Sequence, residues 1–348
     1  MKTTQVNQSK SASRKPLASV SLDLDNKWSY LKTQGSPDWE SFPSYFDVAV
    51  PRFLEFLDKR NLKITVFVIG QDAVLEKNHA SIKMIAEAGH EIANHSFNHE
   101  PWLHLYSPDQ INDELGRTEA AIKSLTGQKT VGFRGPGFSC SDQVLKALMR
   151  RGYLYDASTF PTFLGPLARA YTFFKSRLSR KQKEERKGLF GSWRDGFQSN
   201  HPFCWTDPAS DQQSLLEIPV TTLPLFKVPI HGSYYLYLAG YSTTLARSYF
   251  WTAVKMCRMM GVQPSLLLHP TDFLGCDDEP DLSFFPAMNQ PSKRKCELMS
   301  DALKWLSQTF ECVTMREHAE SVSMSSMKRR AITTAAKGIE TLNPATSR

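Results

Sequence analysis

Short apolar runs alternate along this chain with longer stretches whose apolar residues recur at helical spacing. The runs Leu17–Leu22, Leu62–Ile69, Glu91–Asn94, Thr130–Phe133, Tyr153–Tyr155, Leu215–Val220, Ser265–Leu268 and Phe310–Thr314 predict strands. Helices are predicted at Tyr45–Arg60, Ala80–Ala88, Pro108–Leu125 (with Ser107 as N-cap), Ser141–Arg151, Tyr249–Met260 and Lys293–Thr309. Strands alternating with helices imply a parallel α/β architecture. About eight such repeats favour a (β/α) barrel over an open doubly wound sheet. No glycine-rich phosphate fingerprint follows Leu22, which counts against a dinucleotide-binding fold.

Three segments break the alternation. Residues 1–16 and 321–348 are polar, rich in Ser, Thr and Lys, and are expected to be disordered tails around a catalytic domain at 17–320. Residues 165–200 carry a net charge of +6 and interrupt the repeat, so they are expected to be a basic insertion. Within it Leu167, Tyr171, Phe174 and Leu178 fall at helical spacing. Two roles fit: a helix packed on the barrel with a solvated charged side, or a surface helix resting on anionic lipid.

Composition changes this picture little. The 348 residues are 41% hydrophobic and 22% charged, as in ordinary soluble proteins. The net charge of +7 resides in the tails, which carry +4 each, leaving −1 on residues 17–320. A nucleic-acid partner would require a basic patch on the fold itself, so none is expected. The six cysteines contain no C-x-x-C pair, which predicts free thiols in a reducing compartment. No secretory h-region and no long apolar span is recognised, and a cytoplasmic location is expected.

The chemistry-bearing residues cluster after predicted strands. His95 and His99 are four apart, a spacing that on a helix would place both imidazoles on one face, within reach of one metal ion. Ser96 stands where a zincin has its glutamate, so a base must come from elsewhere. Asp23 and Asp25 follow the first strand, where a barrel presents functional groups, although Asp25-Asn26 also reads as a turn or helix cap. Arg134 precedes the loop Gly135-Pro136-Gly137, and His269 closes an apolar strand, a place where a core histidine is equally at home.

Taken together, Asp23-Leu24-Asp25, Gly89 to His99, Phe133-Arg134-Gly135-Pro136-Gly137 and Leu268-His269-Pro270 resemble, in order, motifs of the polysaccharide deacetylases (the NodB-homology family). The resemblance spans roughly residues 17–320. It departs in the intervening Leu24, in Gly137 where a tyrosine is usual, and in the fourth motif, for which Asp156 is the nearest candidate. What the resemblance implies is a distorted (β/α) barrel that hydrolyses a non-peptide amide, removing an acyl group from an N-acetylated sugar. It implies Asp25, His95 and His99 as ligands of a divalent metal, most simply Zn2+, and Asp23 as general base oriented by Arg134. The Gly137 N–H would stabilise the oxyanion and His269 would protonate the leaving amine. Alternatives are a deformylase or deacetylase of a lipid-linked or nucleotide-linked amino sugar at the inner membrane surface, and a sugar-binding pseudoenzyme.

Overall fold

Residues 15–175, 178–180, 183, 192–210 and 213–332 are described by the structure, a computed structural model. Among them ten strands form one sheet: β1 (Leu17–Asp23), β2 (Thr65–Val68), β3 (Glu91–Asn94), β4 (Gly132–Phe133), β5 (Tyr155–Asp156), β6 (Phe203–Thr206), β7 (Ser214–Glu217), β8 (Ser265–Leu268), β9 (Glu311–Val313) and β10 (Arg329–Ala331). In the order β8-β1-β2-β3-β4-β5-β7 all neighbours are parallel. The ring closes just beyond β7, where the Thr221 N–H donates to the Ser265 carbonyl at 3.0 Å and the Ser265 N–H to Thr221 Oγ1 at 2.7 Å. This is a distorted (β/α) barrel of seven strands whose last joint is two hydrogen bonds rather than a ladder.

Alternation along each strand divides the side chains into two layers. Val66 and Val68 of β2 face outward, into a core shared with helices Phe46–Asp58, Glu76–Glu87, Thr243–Met259 and Ser292–Thr309. Phe67, Ala93, Tyr155, Leu216 and Met315 fill the barrel interior. Each apolar side chain buried this fully contributes about 1.5–3 kcal/mol. The N-terminal end of the barrel is sealed by helix Met315–Ser321: the Met315 N–H donates to Thr65 Oγ1 at 2.7 Å and the Arg316 N–H to Glu91 Oε2 at 3.0 Å.

Most expected elements form, helped by local signals. Ser107 and Gln110 make a reciprocal capping box on helix Pro108–Thr126. Helix Thr243–Met259 starts six residues before the expected Tyr249, because Ser242 caps it through the Leu245 N–H. Strands β6 and β10 and helices Lys27–Gln34 and Gly232–Tyr241 were not expected. The C-terminal tail assignment is corrected in part. Arg329–Ala331 pairs parallel with β6, and Ile332 is 1% exposed. This strand escapes a hydrophobic pattern because its stabilisation is polar: the Arg330 guanidinium lies 4.2 Å from the Phe203 ring and donates to Gln198 at 3.0 Å. Residues 1–14 and 333–348 of the expected tails lie outside the described residues, whereas Pro16 accepts a backbone bond from Glu311.

In the insertion, helix Gly165–Lys175 leaves Leu167 67% and Phe174 85% exposed, while Leu178 beyond it is buried. The expected single apolar face therefore does not pack as a unit. Lys181, Arg186 and Lys187 lie outside the described residues. All six cysteines are free thiols, and among the described residues no helix is long and apolar enough to cross a membrane.

Candidate metal centre

Strand register gathers the chemistry at one end of the barrel. Asp23 lies opposite Phe67, Val68 opposite Asn94, Asn94 opposite Phe133, and Leu22 opposite Leu268. Asp23 and Asp25, His95, Arg134 and His269 therefore all emerge from the C-terminal ends of neighbouring strands, as barrel geometry demands.

Asp25, His95 and His99 converge so that one potential ligand atom of each lies within 4.8 Å of the others, the one such trio among the described residues. Asp25 Oδ1 is 3.0 Å from His99 Nε2 and 3.5 Å from His95 Nε2. The set fits a divalent cation on its own chemistry. Asp25 Oδ1 is buried yet has no hydrogen-bond partner among the described residues. His95 Nδ1 meets the Arg134 carbonyl at 2.7 Å, so that nitrogen carries the proton and Nε2 keeps its lone pair for a metal. Burial alone would raise the Asp25 carboxyl, but His99 and His95 hold it well below the usual carboxylate range. Burial likewise opposes charge on His95, yet Asp23 and Asp25 outweigh it and raise its pKa. The His95 shift reports carboxylates that favour positive charge at the centre of the cluster.

The expectation that the two histidines share a helical face is corrected. β3 ends at Asn94, and His95–His99 form a turn in which Ser96 (φ 60°) and His99 (φ 53°) are left-handed. Spacing of four brings the imidazoles together because the loop folds back. Buried Glu114, on helix Pro108–Thr126, accepts the N–H groups of Phe97 and Asn98 at 2.8 and 2.9 Å. The Gly70 N–H meets the Ser96 carbonyl at 2.9 Å, and a Cβ on Gly70 would stand 2.5 Å from Phe97 Cδ2. Sequence reasoning missed Glu114. Its one signal is a carboxylate among the buried Ile111, Leu115 and Thr118 of that helix.

Asp25 and Asn26 divide two roles that the sequence left open. Asn26 is the helix cap, accepting the Lys27 N–H at 2.8 Å and donating to buried Asp72 at 2.8 Å. This frees Asp25 for the metal trio. Asp23 is held differently: Arg134, wholly buried, donates to its Oδ1 at 2.6 Å, to Ser21 at 3.0 Å and to the Ala157 carbonyl at 3.0 Å. Asp23 Oδ2 is left facing His95 Nε2 at 4.0 Å.

The loop after β4 presents Gly137 at φ 58°. Phe138 and Ser139 spend their N–H groups on the Gly135 and Pro136 carbonyls, while that of Gly137 makes no hydrogen bond among the described residues. Asp156 does not join the metal trio. It is buried and accepts from Ser158 at 2.7 Å, and Ser158 Oγ in turn accepts the Gly135 N–H at 2.9 Å. Asp156 thus supports the loop from outside the barrel.

His269 has supports that sequence reasoning did not find. Ser233 Oγ gives its single proton to Asp272 Oδ1 at 2.7 Å, so it accepts from His269 Nδ1 at 3.1 Å. Asp272 Oδ2 accepts the His269 N–H at 2.9 Å. The ring is fixed with Nε2 turned away from this chain of bonds. A Cβ on Gly232 would meet Asp272 Oδ2 at 2.3 Å, which explains the glycine there.

Residues 40–155, which run from before β2 to the first residue of β5 and include His95, His99 and Arg134, match the family of polysaccharide deacetylases. A peptidoglycan deacetylase-like protein of Gibberella zeae is 36% identical over 113 residues, 32% of this chain and 32% of that protein. A peptidoglycan deacetylase of Helicobacter pylori is 31% identical over 146 residues, 41% of this chain and 49% of that one. The chain thus spans a third to a half of the length of these curated relatives. A solved structure from Mycobacterium smegmatis, titled as a polysaccharide deacetylase, aligns over 93% of this chain and 96% of its own at 20% identity, with a TM-score of 0.61, and shares the fold. The metal trio and the arginine-held aspartate thus stand in one barrel with a segment, residues 40–155, that is similar to the polysaccharide deacetylase family.

Proposed function

We propose that the protein is a metal-dependent hydrolase that removes the acetyl group from the nitrogen of an N-acetylated sugar. The observation that carries this reading is the unlike treatment of two neighbouring carboxylates: Asp25 lies among imidazoles, Asp23 on a buried guanidinium. A binding protein needs neither arrangement, which argues against a pseudoenzyme. Asp25, His95 and His99 would hold the cation, which acidifies water and polarises an amide carbonyl. Asp23 Oδ2 is the oxygen left to take the proton of the attacking water, since Arg134 occupies Oδ1. The Gly137 N–H, which makes no hydrogen bond among the described residues, would receive the developing oxyanion. His269, its Nδ1 fixed through Ser233, would deliver a proton from Nε2 to the departing amine. The sugar assignment is supported by the names of similar proteins, which include a peptidoglycan-N-acetylmuramic acid deacetylase of Bacillus subtilis, 36% identical over 104 residues. The test is acetate and formate release from N-acyl amino sugars by zinc-loaded and chelator-treated protein. Acetate released only by the loaded form is expected; equal release after metal removal would overturn the reading.

A second reading concerns the location of the substrate. Leu167 and Phe174 are exposed on a segment of net charge +6. This supports peripheral contact with anionic lipid on the cytoplasmic side, where a lipid-linked amino sugar, acetylated or formylated, would be the substrate. Residues 17–332 should then cosediment with anionic vesicles at low salt and release as salt rises. No cosedimentation at low ionic strength favours a soluble glycan or nucleotide-linked sugar.

A further inference from the structure

The two imidazoles of the metal trio are supported unequally. The His95 ring is fixed by the bond between its Nδ1 and the Arg134 carbonyl at 2.7 Å. His99 Nδ1 is buried as well, yet it has no hydrogen-bond partner among the described residues. In a metal-binding histidine the second ring nitrogen is ordinarily held by a carboxylate or carbonyl, which sets the plane of the ring. For His99 the ring's own contacts have to do this. Its aromatic neighbours are His95, with centroids 5.1 Å apart, and Trp28, 6.3 Å away and edge-on at 80°. Trp28 is buried, and Phe42 packs edge-on against it at 5.2 Å.

Trp28 is in turn held by a carboxylate. Asp72, in helix Gly70–Val74 just beyond β2, accepts the indole N–H on Oδ1 at 3.0 Å. The same oxygen accepts Asn26 Nδ2 and Asn78 Nδ2, both at 2.8 Å. Ser44 closes a ring of bonds, accepting from Asn26 Nδ2 at 3.0 Å and donating to Asn78 Oδ1 at 2.8 Å. Beside it, Tyr45 Oη donates to the Asp25 carbonyl. Asp72, Asn26 and Asn78 are wholly buried, and Asp72 Oδ2 has no hydrogen-bond partner among the described residues. Spread over both oxygens, the three donors would satisfy the carboxylate better. Converging on one, they tie Asn26 and Trp28 to a single point in a water-free setting, where such bonds are strong.

We propose that Asp72 and Trp28 are positioning residues for the metal centre: Asp72 anchors the indole N–H, and the indole sets the plane of the His99 ring. Packing thereby does for His99 what the Arg134 carbonyl does for His95. The inference rests on the reading of Asp25, His95 and His99 as metal ligands. Through Asn26 the same carboxylate also holds the chain directly after Asp25, so two of the three ligands lean on Asp72 and His95 does not. Without the anchor, Trp28 can shift and the His99 ring can turn about its Cβ–Cγ bond. Its Nε2 then leaves the position 3.0 Å from Asp25 Oδ1.

The test uses Co2+ added to metal-free protein. Its visible absorption reports how the ligands are arranged, and competition with a chelating dye gives its affinity. Trp28→Phe keeps a ring beside His99 but loses the N–H that Asp72 holds. It should weaken Co2+ binding by about ten-fold or more and shift the spectrum of the bound ion. Asp72→Leu should do the same or more, whereas Asp72→Asn, which retains an accepting oxygen, should stay within about three-fold of the unmodified protein. Asn78→Ala removes a different donor from the same oxygen. It should lower the melting temperature and leave the Co2+ spectrum unchanged. Melting curves show whether Asp72→Leu folds; if it does not, Trp28→Phe decides. An unaltered spectrum and affinity in folded Trp28→Phe or Asp72→Leu overturns the proposal. So does an Asn78→Ala spectrum shifted as far as that of Trp28→Phe, which would mean general loosening. The metal reading fails separately: Co2+ bound equally well by His99→Ala sinks the trio, whereas trio-dependent binding that ignores Trp28 and Asp72 sinks only their positioning role.

Discussion

Asp23 and Asp25 are separated by one leucine, and their neighbours give them different chemistry. Leu24 between them is wholly buried, and the two carboxylates meet different partners, His99 for Asp25 and Arg134 for Asp23. Asp23→Asn keeps the shape and loses the acceptor. It should retain zinc while hydrolysis falls by ~10²-fold or more. Asp25→Asn, His95→Ala and His99→Ala should each lower bound zinc, read by elemental analysis. His104→Ala should not, because His104 bonds Ser139 at 2.8 Å instead. Zinc lost from Asp23→Asn but kept in Asp25→Asn would mean that the two aspartates have the opposite roles.

At the scale of elements, the His95–His99 turn is shaped by what lies under it. Glu114 receives three bonds from it: two backbone N–H groups and the Asn98 amide at 2.5 Å. Glu114→Ala removes the single carboxylate oxygen that accepts both of those N–H groups. Zinc affinity should fall by about 10- to 100-fold, measured by competition with a chelating dye, while the barrel still melts cooperatively. Unchanged affinity would show that the left-handed residues alone set the loop. This turn also shows what sequence reveals and what it hides. The metal residues were legible only in combination, because Asp23-Leu24-Asp25 and His95 to His99 stand in order with the other motifs that resemble the deacetylases. Their local conformation was not, since spacing of four is shared by a helix and by a folded-back loop. Glu114, Ser233 and Asp272 stayed hidden for another reason. Each acts through a residue distant in sequence, and no periodicity records such a contact. Strand β10 was missed because Arg330 is stabilised by an aromatic face and an amide rather than by apolar burial.

For the molecule as a whole, both ends of the described chain meet the barrel. β9 pairs with the first half of β1, and Met315 enters the interior, where Arg134 Nη2 lies 3.6 Å from its sulfur. Met315→Ala should cost about 2–5 kcal/mol, read as a lower denaturation midpoint. It should also depress turnover beyond the loss of folded protein, since the cavity opens beside the guanidinium that aims Asp23. Stability lost with turnover per folded molecule intact would limit Met315 to packing.

The helix that seals the barrel has a consequence in time. The three metal residues are all made by residue 99, but β8, β9 and the Met315 plug come from the last quarter of the chain. On a ribosome, the segment that can grip a cation emerges long before the pieces that close the ring and steady the arginine. Hydrolysis is therefore among the last properties the nascent chain acquires, since Arg134, His269 and Met315 all follow the metal residues.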